Sequence, residues 1–186
     1  MRNLRKLISY VLLLIFGSLA VWLYWPADWS VWKIERIGGT VQRMTLPGSE
    51  GRMAIALPDT VTDDDLEHLK ALDHLDPACL QLQGPQISGR GLASLTRLHN
   101  LRILVLFGTS ITDDDLQTLQ AFPELETLNL EGSRIGPRSL EHLKKLPALR
   151  CVCLHGTTLP AEAVLRFQAE REDVVVLSPF TDKEDD

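Results

Sequence analysis

The chain holds 186 residues, 45% of them hydrophobic, with 19 Lys and Arg against 25 Asp and Glu and a net charge of −6. That length accommodates about one domain plus an appendage. Arg2, Arg5 and Lys6 lie ahead of every acid, so the rest of the chain balances 16 against 25, or −9, which leaves no phosphate-neutralising patch and argues against nucleic acid as a partner.

The appendage comes first. After the basic stub, Leu7 to Trp25 is a run of 19 residues without a charge. As a helix it reaches roughly 28 Å, close to the hydrocarbon thickness of a bilayer. Tyr10, Trp22, Tyr24 and Trp25 sit near its ends, where amphipathic rings favour the headgroup layer, and Pro26 stops it. Residues 1–26 are therefore predicted to be a signal anchor, a cytoplasmic stub followed by one transmembrane helix over 7–25. The repeat body then falls on the non-cytoplasmic side. The competing reading is a cleaved signal peptide with "SLA" at Ser18–Ala20 as the cleavage site, which would make the protein secreted. The continuing apolar run "VWLYW" favours the anchor.

Residues 27–52 read as a cap. "DWSVWKIERIGG", Asp28 to Gly39, predicts a short helix with Trp29, Trp32 and Ile37 available for packing, and "TVQRM" and "RMAIAL" flank a turn as a hairpin.

From residue 53 to 178 the chain repeats. The pairs Leu80/Leu82, Leu104/Leu106, Leu128/Leu130 and Val152/Leu154 recur at steps of 24. Each is followed by a glycine, at Gly84, Gly108, Gly132 and Gly156, then by Ile87, Ile111, Ile135 and Leu159. A helical stripe comes next, with Leu92/Leu95/Leu98, Leu116/Leu119/Phe122 and Leu140/Leu143/Leu146 at spacing three. Each unit is thus strand, turn, helix, and none can bury its apolar face without stacking on its neighbours. A degenerate unit precedes these, with Ile55, Leu57, Val61, Leu66 and Leu69, and "DVVVLSPF" supplies a last strand. The longer interval from Val61 to Ile87 predicts a two-residue insertion near "LDHLDP". Residues 179–186 are predicted to be an acidic disordered tail.

Leu101, Leu104, Leu106, Thr109 and Ile111 map onto the pattern L-x-x-L-x-L-x-x-N-x-L, and two further copies follow in register. The sequence resembles the leucine-rich repeat family, in its ribonuclease-inhibitor-like form with repeats of about 24 residues. Where that family usually places Asn, this chain has Pro85, Thr109, Ser133 and Thr157; the hydroxyls can still bond to backbone in the turn, and Pro85 cannot. The resemblance implies an α/β solenoid, with a parallel sheet on its concave face and helices on its convex face. Some members of the family are ubiquitin-ligase adaptors with a helical adaptor motif before the repeats; here the predicted membrane span fills that place.

Two Asp triplets, in "TVTDDDLEHL" and "SITDDDLQTL", fall where turn meets helix. Thr62 and Thr112 are placed as N-caps, with the acids facing the positive end of the helix dipole. Successive helix residues point about 100° apart, so three consecutive acids cannot converge on one ion. The triplets read as helix starts.

No serine or cysteine has a His and an acid brought to it by the repeat, and there is no phosphate loop, so no catalytic residues, no cofactor and no resident metal are expected. His68 and His142 fall on the outer helix face as solvated residues, His74 and His99 in loops. The candidate site is the concave strand face. Ile103, Val105 and Phe107 point outward together, with Gln81 and Gln83 on one flank and Thr127, Asn129 and Glu131 on the other, an apolar centre with a polar rim suited to an unknown protein partner. Cys153 and His155 complete this surface, and a second copy of the chain is the other candidate occupant. The alternative function is a thiol-redox or metal-binding role for Cys151, Cys153 and His155, which share one strand face at spacing two. A further alternative is a structural spacer.

Overall fold

The computed structural model describes residues 31–44, 51–68, 75 and 77–181. The expected membrane segment, Trp29, Leu69, His74 and the tail from residue 182 lie outside these. Among the described residues no helix is long and apolar enough to cross a membrane.

Seven strands form one sheet in chain order: β1 Thr40–Arg43, β2 Met53–Ala56, β3 Pro77–Gln83, β4 Ile103–Phe107, β5 Thr127–Asn129, β6 Cys151–Cys153 and β7 Val175–Leu177. β1 runs antiparallel to β2, and every later pairing is parallel. Between strands come α1 Asp63–His68, α2 Gly89–Ser94, a 3₁₀ helix Asp114–Ala121, α3 Arg138–Leu143 and α4 Ala161–Glu170. The fold is α/β with a mostly parallel sheet covered by helices on one face.

Strand alternation decides which face is covered. Leu80, Leu104, Leu128 and Val152 are partners across the ladder and are 1% exposed or less. Each fully buried Leu or Val contributes about 1.5–3 kcal/mol of transfer free energy. One continuous core runs from Ile34 to Val176. After each of β3 to β6 a glycine turns the chain. Gly108, at φ 61°, is in the left-handed region, where a side chain is disfavoured, and its N–H donates to Glu131 O at 2.8 Å. The hydroxyls at the position where the family places Asn do bond to backbone. Thr109 Oγ1 and Ser133 Oγ both donate to Leu106 O, at 3.3 and 3.0 Å, and Thr157 Oγ1 donates to Leu154 O at 2.8 Å.

Four expectations are corrected. The helical stripe at Leu116, Leu119 and Phe122 forms a 3₁₀ helix, whereas Leu92 and Leu140, in stripes of the same spacing, lie on α-helices. Of the two residues expected near "LDHLDP", one is found, directly after it. Met53 pairs with Pro77, a step of 24, while Ala54 pairs with Cys79, a step of 25, so one extra residue is the bulge at Ala78. The other difference is a shorter first turn, four positions from Leu57 to Val61 against five from Leu82 to Ile87. In the cap, Ile34 is fully buried while Trp32 is exposed and stacks with the Arg36 guanidinium at 5.3 Å; Ile37, in the turn just after helical residues 31–36, packs against the same core as Ile34. Finally, His142 is half-buried rather than solvated, with Nδ1 enclosed and without a hydrogen-bond partner among the described residues.

Candidate binding surface on the open face of the sheet

The ladder aligns the outward side chains into rows. One reads Ala54, Cys79, Ile103, Thr127, Cys151, Val175, and the next Ala56, Gln81, Val105, Asn129, Cys153, Leu177. A third, Gln83, Phe107, Glu131, His155, is set by the bonds Gly84 N to Phe107 O, Gly108 N to Glu131 O and Gly132 N to His155 O, at 3.0, 2.8 and 2.9 Å. Neighbours within a row are about 4.8 Å apart. Ile103, Val105 and Phe107 thus form one column, with Gln81 and Gln83 before it and Asn129 and Glu131 after it. Cys153 and His155 stand one column further. Phe107 is 45% exposed, and Ile103 and Val105 are half-buried by their neighbours.

Sequence reasoning missed Val175 and Leu177. They are 59% and 39% exposed on the same face, while Val174 and Val176 between and before them are buried. The alternation in "DVVVLSPF" carried that signal, but four consecutive apolar residues hide it. The face is thus apolar at β4 and again at β7, with polar groups between.

Cys79, Cys151 and Cys153 are free and half-buried on this face. Burial pushes the Cys79 thiol up, and burial together with neighbouring Cys153 does the same for Cys151, so both hold their protons more firmly and are poorer nucleophiles. Cys153 Sγ lies 3.3 Å from His155 Nδ1. Among the described residues no group of three or more His, Cys, Asp or Glu is arranged to hold a metal ion.

The first and third acids of each triplet have separate partners. The third acid of each accepts from the threonine ahead of it: Asp65 Oδ2 from Thr62 N and Oγ1 at 3.0 and 2.9 Å, Asp115 Oδ2 from Thr112 N and Oγ1 at 2.9 and 2.7 Å. At Thr62 a capping box closes, with Asp65 N–H donating back to Thr62 Oγ1 at 3.4 Å; at Thr112, expected as an N-cap, it does not, because the hydroxyl donates to Asp115 and the 3₁₀ helix begins after Asp113 without a side-chain cap. The first acid reaches the next unit: Asp63 accepts from Ser88 N and Oγ at 2.9 and 2.5 Å, and Asp113 from Gly136 N. The middle acids, Asp64 and Asp114, are exposed. On the helix side a shallow concavity between α3 and α4 is lined by Leu140, Lys144 and Phe167, but Lys144 is already held by Glu141 and Glu170.

No protein-family model matches the sequence, and no curated protein matches it. Among solved structures, a TLR13–ssRNA13 complex aligns with 66% of this chain at 18% identity and a TM-score of 0.41, and the chain spans 18% of the length of that protein.

Proposed function

We propose that this protein is a membrane-anchored leucine-rich repeat module that binds a protein partner through the open face of its sheet and performs no catalysis. The observation that carries the reading is the column Ile103, Val105 and Phe107, apolar where a merely soluble sheet face favours polar groups, and flanked by Gln81, Asn129 and Glu131. An apolar centre with a polar rim is the composition of a protein-binding patch. The anchor rests on the 19 uncharged residues from Leu7 to Trp25, with residues 27–52 as the cap between membrane and repeats.

The test uses the full chain in cells, with a photo-crosslinking phenylalanine analogue at Val105 or, as control, at exposed Leu165 on the helix side. A discrete adduct from position 105 alone, lost when Phe107→Asp is added, supports the reading. No adduct, or equal adducts from both positions, refutes it in favour of a spacer. Resistance of the full chain to carbonate extraction, lost on deleting residues 7–25, tests the anchor.

A second reading, thiol chemistry at Cys153, rests on the 3.3 Å contact with His155 Nδ1. Titration with and without reductant decides it: three free thiols under both conditions, as in the structure, removes a redox role.

A further inference from the structure

The open face is almost without charge. The three aligned rows of described residues contain one carboxylate, Glu131, and no Lys or Arg. Charges gather instead at the margin before the strands, where Arg102 Nε donates to Glu126 at 3.1 Å and each neutralises the other. Arg150, one position before Cys151, is separated from the Glu131 row by about 16 Å along the strand, two Debye lengths at physiological salt. No described Lys or Arg offsets Glu131 across the face; its other ladder neighbour is the imidazole of His155, which is engaged with Cys153 Sγ, and the Glu131 carboxylate takes no hydrogen bond or ion pair from any described residue. Its neighbour across the ladder is Phe107, the most exposed side chain of the central column.

An aromatic ring beside a carboxylate that no described residue pairs suits one kind of visitor. A cation set over the ring face is attracted by its quadrupole, and the same cation can donate to the carboxylate. The chain as a whole is net acidic, −6, which steers basic partners toward it and repels acidic ones. Resting on the face reading above, we infer that the partner is a protein segment that places one Arg or Lys side chain between Phe107 and Glu131, with apolar residues beside it on Val105 and Ile103. Arg fits best: its planar guanidinium can stack on the ring while its edge bonds the carboxylate. The apolar column supplies burial and the carboxylate supplies register, as in interfaces where a few aromatic and Arg anchors carry most of the affinity.

The experiment is a random-peptide phage selection on the purified full-length chain, followed by anisotropy titration of a synthesised winning peptide. The expected winners carry an Arg or Lys flanked by apolar residues. Their affinity should fall about tenfold for Glu131→Gln and again when the peptide's cation is replaced by citrulline or norleucine, the loss of one charge-assisted contact. Circular dichroism confirms that Glu131→Gln folds. Winners without a cation, no winners, or equal affinity for Glu131→Gln overturn the inference. If Val105→Asp with Phe107→Asp abolishes binding while Glu131→Gln does not, only the cation is refuted and the face reading stands. If the double variant binds unchanged, both fall. A wild-type chain that dimerises through this face, with Glu131→Gln monomeric, also overturns it, because the occupant is then a second copy.

Discussion

Gln168 lies across the outer edge of β7 and pairs with Val176 as a further strand would. Its Oε1 accepts the Val176 N–H at 3.2 Å, and its Nε2 donates to Val174 O at 3.0 Å. Thr181 continues the seal: its Oγ1 donates to Val176 O at 2.6 Å and accepts from Ser178 N at 3.1 Å. An edge strand otherwise presents unpaired backbone groups as a template for another chain. Two side chains therefore cover backbone groups at this edge of the sheet.

Gln168→Ala should open that edge. Each lost hydrogen bond is worth about 1 kcal/mol, so a stability loss of about 1–2 kcal/mol is expected, with concentration-dependent association that Gln168→Glu does not cure, since a carboxylate cannot donate to Val174 O. Denaturant titration and sedimentation velocity measure the two effects; a monomer at all concentrations would show that the edge needs no cover.

Arg171 ties the last two units together. Its guanidinium donates to Lys144 O, Leu146 O and Leu149 O at 3.1–3.3 Å, and to Asp173 through Nε and Nη2 at 2.8 and 2.9 Å. Arg171→Ala should cost about 2–3 kcal/mol, because it strands carbonyls already turned away from water. Arg171→Lys should recover less than half, because an ammonium cannot reproduce the fork. Thermal melts of the three proteins test this.

The same pairing makes an acid-side prediction. The Arg171 guanidinium holds the Asp173 carboxyl below its usual range, and Lys144 does so for Glu141. A depressed carboxylate stabilises the fold above its unfolded-state pKa, and the contribution is lost as pH falls through the folded value. Both groups are at the surface, so the effect is small and screened. Stability should decline below the ordinary carboxylate range, less steeply in an Asp173→Asn, Glu141→Gln variant and less steeply in high salt. An unchanged slope in the double variant would remove these pairs from the account.

The triplets predict an unequal series. Asp63→Ala should cost about 1–3 kcal/mol, since it orphans the Ser88 N–H, whereas Asp64→Ala, whose exposed carboxylate has only the surface pair with Arg90, should stay within about 0.5 kcal/mol. Calcium or magnesium should not shift the melting temperature of the wild type. A cation-dependent shift abolished by all three Asp63, Asp64 and Asp65 substitutions would reverse the assignment.

Gly89 gives a clean test of how closely units stack. A Cβ there would lie 1.8 Å from Asp115 Oδ1, so Gly89→Ala should destabilise by about 1–3 kcal/mol although Ala is the better helix former by about 1 kcal/mol. Adding Asp115→Ala removes the clash but also the two bonds from Thr112, so the double variant should be less destabilised than the sum of the singles. Additive losses would show that the two residues do not meet.

The rung-to-rung alignment of Leu80, Leu104, Leu128 and Val152 was legible from their spacing, because strand alternation and a fixed repeat length are local properties of a chain. So were the turn glycines and the outward column at β4, which follow from the same alternation. Spacing alone did not distinguish the 3₁₀ helix from an α-helix, nor did it reveal the Ala78 bulge, since both depend on how a unit settles against its neighbours. Ile34, not Trp32, packs the cap for the same reason: the reading from sequence offered Trp29, Trp32 and Ile37 and passed over Ile34, which the docking of the helix buries.

What this sequence determined by itself is the content of each layer, strand, turn and helix, and which residues of each must be inward. What only the tertiary structure decided is who meets whom between layers: Asp63 on Ser88, Asp115 over Gly89, Gln168 on the β7 edge, and Phe107 beside Glu131. Those pairs lie 24 to 26 positions apart or on elements whose relative placement is set by stacking, and no local periodicity carries that distance. The hydrophobic pattern specifies burial, which is non-directional; hydrogen bonds and charge pairs are directional and exist only once the layers have closed.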